Sequence, residues 1–386
     1  MKYRLRCLTP TLVGDGSALS PVDYMVWKDQ VNVLDQRRIF KLLSRGPRLD
    51  NYLLQIRRAE KLEFSAWGGF AQNFAGRRIP FEDPSYTAYW NRLRAEHLHI
   101  PTFASTPEGP YLPASALRGA VRTALLAARA TGKSLKPLAD AMQADRSMRN
   151  MGAQWEHQFL GRPSADALKV FSIADSSTAP ISSLKIYMLR TAVLAQGQPG
   201  AGGRNSLAWK QSPRGSVDTR RLEESTPVFA EMAEPGTVFE GIWNENQFFR
   251  RQEIAQALRW HRPLDTASVL TAANEFAAQV LGLHRSFAEA ARLDAVYQSV
   301  QSLLVQTEES RQSGTSCIVP IGWGGGFLSK SACPRTDEEN YRRILANLPY
   351  YAKAIRSGLP FPKTRRIVFL NDKPAALPGW AMLEIL

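Results

Sequence analysis

Apolar and cationic residues alternate strictly through Lys2-Tyr3-Arg4-Leu5-Arg6-Cys7. A period of two is the pleat of a β-strand, so Tyr3, Leu5 and Cys7 turn to a buried face and Lys2, Arg4 and Arg6 to the opposite one. Any fold open to this chain must therefore hold a sheet with one face that begins basic. Pro10 ends the strand, and Val13-Gly14-Asp15-Gly16-Ser17 follows as a flexible loop. Tyr24-Met25-Val26-Trp27 and Val31-Asn32-Val33-Leu34 flank Lys28-Asp29-Gln30 as a hairpin. Asp35 can cap a helix whose apolar stripe is Ile39, Leu42 and Leu43 and which Gly46-Pro47 stops, and a further helix is expected over residues 49–60.

The basic strand face agrees with the whole composition. Lys and Arg number 49 against 35 Asp and Glu, a formal charge of +14 with a pI near 9.9, which points to a polyanion: nucleic acid or an acidic membrane surface. Most of the cations are Arg, often in adjacent pairs such as Arg220-Arg221 and Arg365-Arg366. A coding sequence rich in G and C favours Arg over Lys, and Arg forks also suit phosphates and bases. At 44% hydrophobic and 22% charged the chain is globular rather than disordered, and 386 residues leave room for two domains or one elaborated one. Neither a membrane span nor a signal segment is written in it, so the cytoplasm is the expected location. Cys7, Cys317 and Cys333 include no C-x-x-C pair, and the five histidines have no metal-ligand spacing, so no metal site and no cofactor is expected. His97 and His99 are solvated or core residues, with an RNA contact or an acid/base role as the alternative.

Residues 111–130 carry a more pointed pattern. Ser115 is a candidate N-cap, Leu117, Val121, Ala124, Leu125 and Ala128 recur at helical spacing, and Gly132 lies just past the end. At about 100° per residue Arg118, Arg122 and Arg129 fall on one stripe, a line of positive charge beside a helix N-terminus that can donate to phosphate; a solvated Arg face is the alternative. Residues 168–175 and 183–193 read as strands. Between 193 and 228 a long basic loop is expected, with Arg204, Lys210, Arg214, Arg220 and Arg221 around an exposed Trp209; it suits wrapping a single strand or merely connecting two elements. After a strand at 237–243, Phe276, Val280, Leu283 and Phe287 continue to Tyr297, Val300, Leu303 and Leu304 as one amphipathic helix or two joined end to end. Then comes Gly322-Trp323-Gly324-Gly325-Gly326-Phe327-Leu328-Ser329-Lys330. Without Cβ atoms its N–H groups can approach phosphates or another main chain, Trp323 could stack and Lys330 could pair with a phosphate. The spacing is neither that of a P-loop nor that of a dinucleotide turn.

In order along the chain, Leu8 to Gly16, Leu19 to Tyr24, Tyr111 to Leu125, Phe171 to Ser176, Glu234 to Phe239, the glycine loop to Lys330, Phe361 to Arg366 and Pro378-Gly379-Trp380 resemble the RAMP superfamily of CRISPR-associated proteins. Within it the chain looks most like the type III-A (Csm) effector subunit that caps the backbone filament at the 3′ end of the CRISPR RNA. The resemblance implies an α+β architecture of two tandem ferredoxin-like, RNA-recognition-motif-like domains with helical insertions, drawn here as 1–215 and 216–386. It implies a non-catalytic subunit that binds the 3′ region of the CRISPR RNA, with target RNA as a further candidate. Backbone and small subunits would be its neighbours, host nucleases its partners in guide maturation, and no membrane is involved. RNA contacts are then expected from Gly14, Gly16, Ser115, Arg118, Arg122, Arg204, Lys210, Gly322, Trp323, Gly324, Gly325, Gly326, Lys330, Arg365 and Arg366. Ser115, Arg118 and Arg122 would lie on a helix facing the guide, with the glycine loop beneath. The 196–221 stretch and the segment from Trp67-Gly68-Gly69-Phe70 to Arg78 have no counterpart. The alternatives are another type III RAMP subunit, a metal-independent ribonuclease of repeat RNA with His97 or His99 as base, and a target-RNA nuclease using Asp15 or Asp175, for each of which a turn or capping role competes.

Overall fold

The computed structural model describes the chain except residues 45–47, 59–60, 63–73, 145–149, 197–204, 213–216, 261–262, 336 and 358. Gly46-Pro47, Trp67 to Phe70, Arg204 and Arg214 therefore lie outside the described residues. Strand β1 (Lys2–Cys7) opens the chain, followed by β2 (Tyr24–Trp27), β3 (Gln30–Leu34), helices α1 (Gln36–Leu43) and α2 (Arg48–Arg58), strand β4 (Ala75–Pro80) and helix α3 (Ala114–Ala127). Next come β5 (Phe171–Ile173), β6 (Leu184–Ala195), β7 (Ser206–Lys210), β8 (Asp218–Thr219), β9 (Val228–Ala233) and β10 (Val238–Glu245). Of the later elements, those that shape the site are α4 (Thr266–Ala290), α5 (Asp294–Ser313), β11 (Ser316–Pro320), α6 (Pro349–Arg356), β12 (Thr364–Leu370), β13 (Lys373–Ala376) and β14 (Trp380–Ile385). None of the described helices is long and apolar enough to cross a membrane.

Two antiparallel sheets organise the molecule. The first runs β11-β14-β1-β10-β5. Without its edge strand β11 it is a β-α-β-β-α-β unit in which α3 links β1 to β5 and α4 links β10 to β14, the ferredoxin-like pattern. Its pleat follows the opening alternation: Tyr3, Leu5 and Cys7 are buried, and Lys2 and Arg6 are exposed. The basic face is less open than the alternation predicts, because Arg4 bonds Glu240 on β10 at 2.9 Å and lies 4.0 Å from Glu384 on β14.

The second sheet runs β8-β7-β6-β12-β13, with β9 also paired to β6. The twelve residues of β6 are mostly buried, as a central strand covered on both faces requires. Arg190 within it is 2% exposed; its guanidinium donates to the Leu222 and Ser225 carbonyls and stacks on Tyr89. Both sheets take strands from either side of residue 215. Strand pairing crosses the expected division into 1–215 and 216–386: β1 finds its two neighbours in β10 and in the last strand, and β7 pairs with β8 on the other side of the boundary.

Other expectations meet mixed outcomes. The hairpin forms as β2 and β3, with Lys28 and Asp29 at positive φ in its turn. Asp35 caps α1 by accepting from the Arg38 N–H, and Ile39 and Leu43 are buried, but Leu42 is 45% exposed. Only Phe171–Ile173 of the 168–175 segment is a strand; Ala167–Val170 is a 3-10 turn capped by Asp166. The expected long basic loop instead contains β7 and β8, and Trp209 is 4% exposed with its edge toward Phe369, so it is not a free stacking surface. The amphipathic run is two helices that are not end to end: the chain turns at residues 291–293, with Arg292 at φ 53°, and α5 packs back against α4.

Candidate nucleic-acid interface

Helix α3 keeps its arginine stripe but turns it inward. Pro113 occupies the N-cap position and the Ala114 N–H donates to the Asp175 carboxylate at 2.7 Å, so Ser115 is not the cap and part of the helix N-terminus is already satisfied. Arg118 donates to the carbonyls of Phe171 (3.1 Å) and Leu168 (2.9 Å). Arg122 is held between Asp166 (2.6 Å) and Glu156 (3.1 Å), and Arg129 donates to the Phe159 carbonyl. These guanidiniums fasten residues 156–171 to the helix; the open line of charge expected from their spacing is not formed. The reason is a partner remote in sequence, since two carboxylates meet Arg122 from a segment more than thirty residues away.

The glycine loop lies elsewhere, after β11, and several of its glycines answer crowding inside the protein. Gly322 has φ +77°, and a Cβ there would sit 2.1 Å from the Leu12 carbonyl oxygen, while the Trp323 N–H donates to that same oxygen at 2.7 Å. The Ile321 N–H donates to Gly379, whose own N–H donates to Pro10, so three chain segments are laced by main-chain bonds. A Cβ on Gly14 would meet the Thr102 carbonyl at 2.7 Å. Close approach of another main chain, one of the two readings open from the sequence, therefore accounts for Gly14 and Gly322. Gly326, at φ +72° and exposed, and Gly16, at φ +97° and exposed, would meet no atom within 4 Å.

Beyond this lacing the loop forms one wall of a cleft of about 1080 Å³. Gly324, Gly325, Gly326, Lys330, Lys210, Arg365 and Arg366 all line it, while Gly14, Gly16, Ser115, Arg118, Arg122, Gly322 and Trp323 do not. The cations differ in availability. Arg365 is 8% exposed; its Nε donates to His284 Nδ1 at 2.8 Å, its Nη1 donates to the Pro362 and Thr364 carbonyls, and it lies over the Phe287 ring. Burial lowers this guanidinium to about 9, so it stays charged at neutral pH, and burial together with Arg365 holds His284 well below its ordinary value as a neutral acceptor. Arg366 stacks on Trp323 at 4.2 Å, which covers a ring face that was expected to be available for a base. Lys210 bonds Asp218 at 2.7 Å, and Lys363 lies 3.7 Å from the same carboxylate. Lys330 is exposed at the cleft, with no carboxylate partner among the described residues; partial burial lowers its ammonium from the usual lysine value.

An aromatic wall completes the cleft. Phe327, Tyr351 and Phe361 pack edge to face with centroids 5.1 to 5.7 Å apart, and Tyr350 projects beside them. Lys363, Tyr350 and Tyr351 went unassigned in the sequence; the only local hint is a Tyr pair behind a helix-starting proline. His97 lies half-buried beside Glu96 and His99 is exposed, both away from the cleft lining. Asp15 accepts from the Ser17 N–H, a turn role, and Asp175 serves α3 as described. No group of three His, Cys, Asp or Glu side chains that could hold a metal ion occurs among the described residues.

Residues 4–261 match the family model of the RAMP superfamily, two-thirds of the chain. The chain belongs to that superfamily. No curated protein sequence matches it. Over 100% of its length, and of the other chain's, the RAMP protein is similar to a chain in the cryo-EM structure of a Csm-crRNA-target RNA ternary complex of a type III-A CRISPR-Cas system, at 18% identity and a TM-score of 0.64. It is likewise similar over 99% of its length to all of the Csm5 chain from T. onnurineus in a crystal structure, at 17% identity and a TM-score of 0.58. The likeness of fold thus runs past residue 261 over the rest of this RAMP protein.

Proposed function

We propose that the chain is a non-catalytic RNA-binding subunit of a type III-A CRISPR effector complex, acting in the cytoplasm. It holds the 3′ portion of the CRISPR RNA, caps the filament of backbone subunits beside the small subunits, and supports guide maturation by host nucleases. The observation that carries this reading is the cleft, where a glycine loop, three lysines and an aromatic wall converge on a molecule of charge +14. Lysines at a concave surface hold phosphates without reading sequence, which suits a guide whose sequence varies. The fold shared with a chain of a Csm-crRNA-target RNA complex and with Csm5 supports the same assignment.

The test is reconstitution of the effector complex with and without this chain, followed by sequencing of the protected RNA. Loss of protection confined to the 3′ end is expected, and unchanged 3′ ends would refute the capping role. Incubation of the purified chain with repeat RNA in EDTA tests the absence of catalysis; cleavage there would favour the ribonuclease alternative.

A further inference from the structure

Tyr350 is 87% exposed, the most open large hydrophobic side chain among the described residues. One side of it packs against its neighbour. It sits at the second position of α6, where Pro349 sets the first helical φ. Its ring meets Tyr351 edge to face at 5.0 Å, and Tyr351 is braced in turn by Phe327 at 5.2 Å and Phe361 at 5.7 Å. The outcome is an aromatic surface open to water at a cleft that also presents Lys330 and Lys363. Trp323, which the sequence offered for stacking, has a ring face taken by Arg366.

An exposed ring at the edge of an aromatic wall, in a cleft that also holds lysines, matches the chemistry of an unpaired nucleotide, with a π-face for the base and ammonium groups for its phosphates. We propose that Tyr350 is the stacking platform for an unpaired base of single-stranded RNA whose flanking phosphates are held by Lys330 and Lys363. This rests on the cleft being the RNA site and adds that RNA enters it unpaired.

Fluorescence titration of the full chain with a single-stranded RNA carrying 2-aminopurine at successive positions tests it. In the wild-type protein one position should be quenched on binding. Tyr350→Ala should abolish that quench and weaken binding by about tenfold, the size of one base–aromatic stack. Tyr350→Phe should retain both, and the slope of affinity against salt should not change, because no charge is removed. Duplex RNA of the same length should be insensitive to Tyr350. If Tyr350→Ala binds like wild type while Lys330→Gln with Lys363→Gln weakens binding, stacking is refuted and the cleft stands. If neither variant weakens binding, the cleft reading fails as well, and a protein-contact role for Tyr350 would take its place.

Discussion

A Cβ at residue 322 would lie 2.1 Å from the Leu12 carbonyl on a backbone at φ +77°, whereas one at residue 326 would meet nothing at a similar φ of +72°. The pair separates two costs that a glycine-rich stretch usually confounds. Gly326→Ala should lose only the left-handed penalty of about 1–2 kcal/mol. Gly322→Ala adds a main-chain collision that breaks the lacing of residues 10–12, 321–323 and 378–380, and should lose about 4 kcal/mol or more. Chemical denaturation of the two variants checks the difference, and equal losses would mean that the loop can relax away from Leu12. Four glycines in five positions are plain in the sequence; which of them is crowded depends on an oxygen three hundred residues earlier. Arg118 and Arg122 show the same limit, because their helical stripe is local information whereas Leu168, Glu156 and Asp166, which consume it, are not.

Elements that carry a local signature were legible: β1 by alternation, the β2–β3 hairpin by its turn, and α1 by Asp35. Those without one were not. Strand β7 lies in a stretch rich in Gly and Ser and exists through pairing with β6, and the α4–α5 turn is made at Arg292 without Gly or Pro. The contact of α4 with β12 carries a pH signature. His284 is buried, accepts from Arg365 and meets Trp380 at an edge, so its folded-state pKa is well below the ordinary 6.5. As pH falls below about 6.5 the unfolded chain binds this proton before the folded one does, so stability declines, by at most about 1.4 kcal/mol per pH unit for a single proton. His284→Gln keeps an acceptor for Arg365 and removes the titration, and its unfolding free energy should fall less steeply than wild type between pH 6.5 and 5. Parallel slopes would mean that His284 does not titrate as its burial implies.

Across the whole molecule, both sheets join strands far apart in the chain, the first β1 to the last strand and the second β6 to β12. Residues 1–215 and 216–386, produced separately, should each lack cooperative unfolding, since β1 would lose both neighbours and β6 would lose β9 and β12. Cooperative melting of either half would contradict the interleaved topology. The same interleaving builds the cleft: the glycine loop, Lys210 and Lys363 come from three separate stretches of chain. RNA binding at that cleft is tested most directly by the salt dependence of single-stranded RNA affinity for the full chain and for its Lys330→Gln, Lys363→Gln variant. The variant should bind more weakly, with a slope of log affinity against log salt shallower by about 1.4, roughly 0.7 for each lost phosphate contact. An unchanged affinity and an unchanged slope would contradict an RNA path through the cleft.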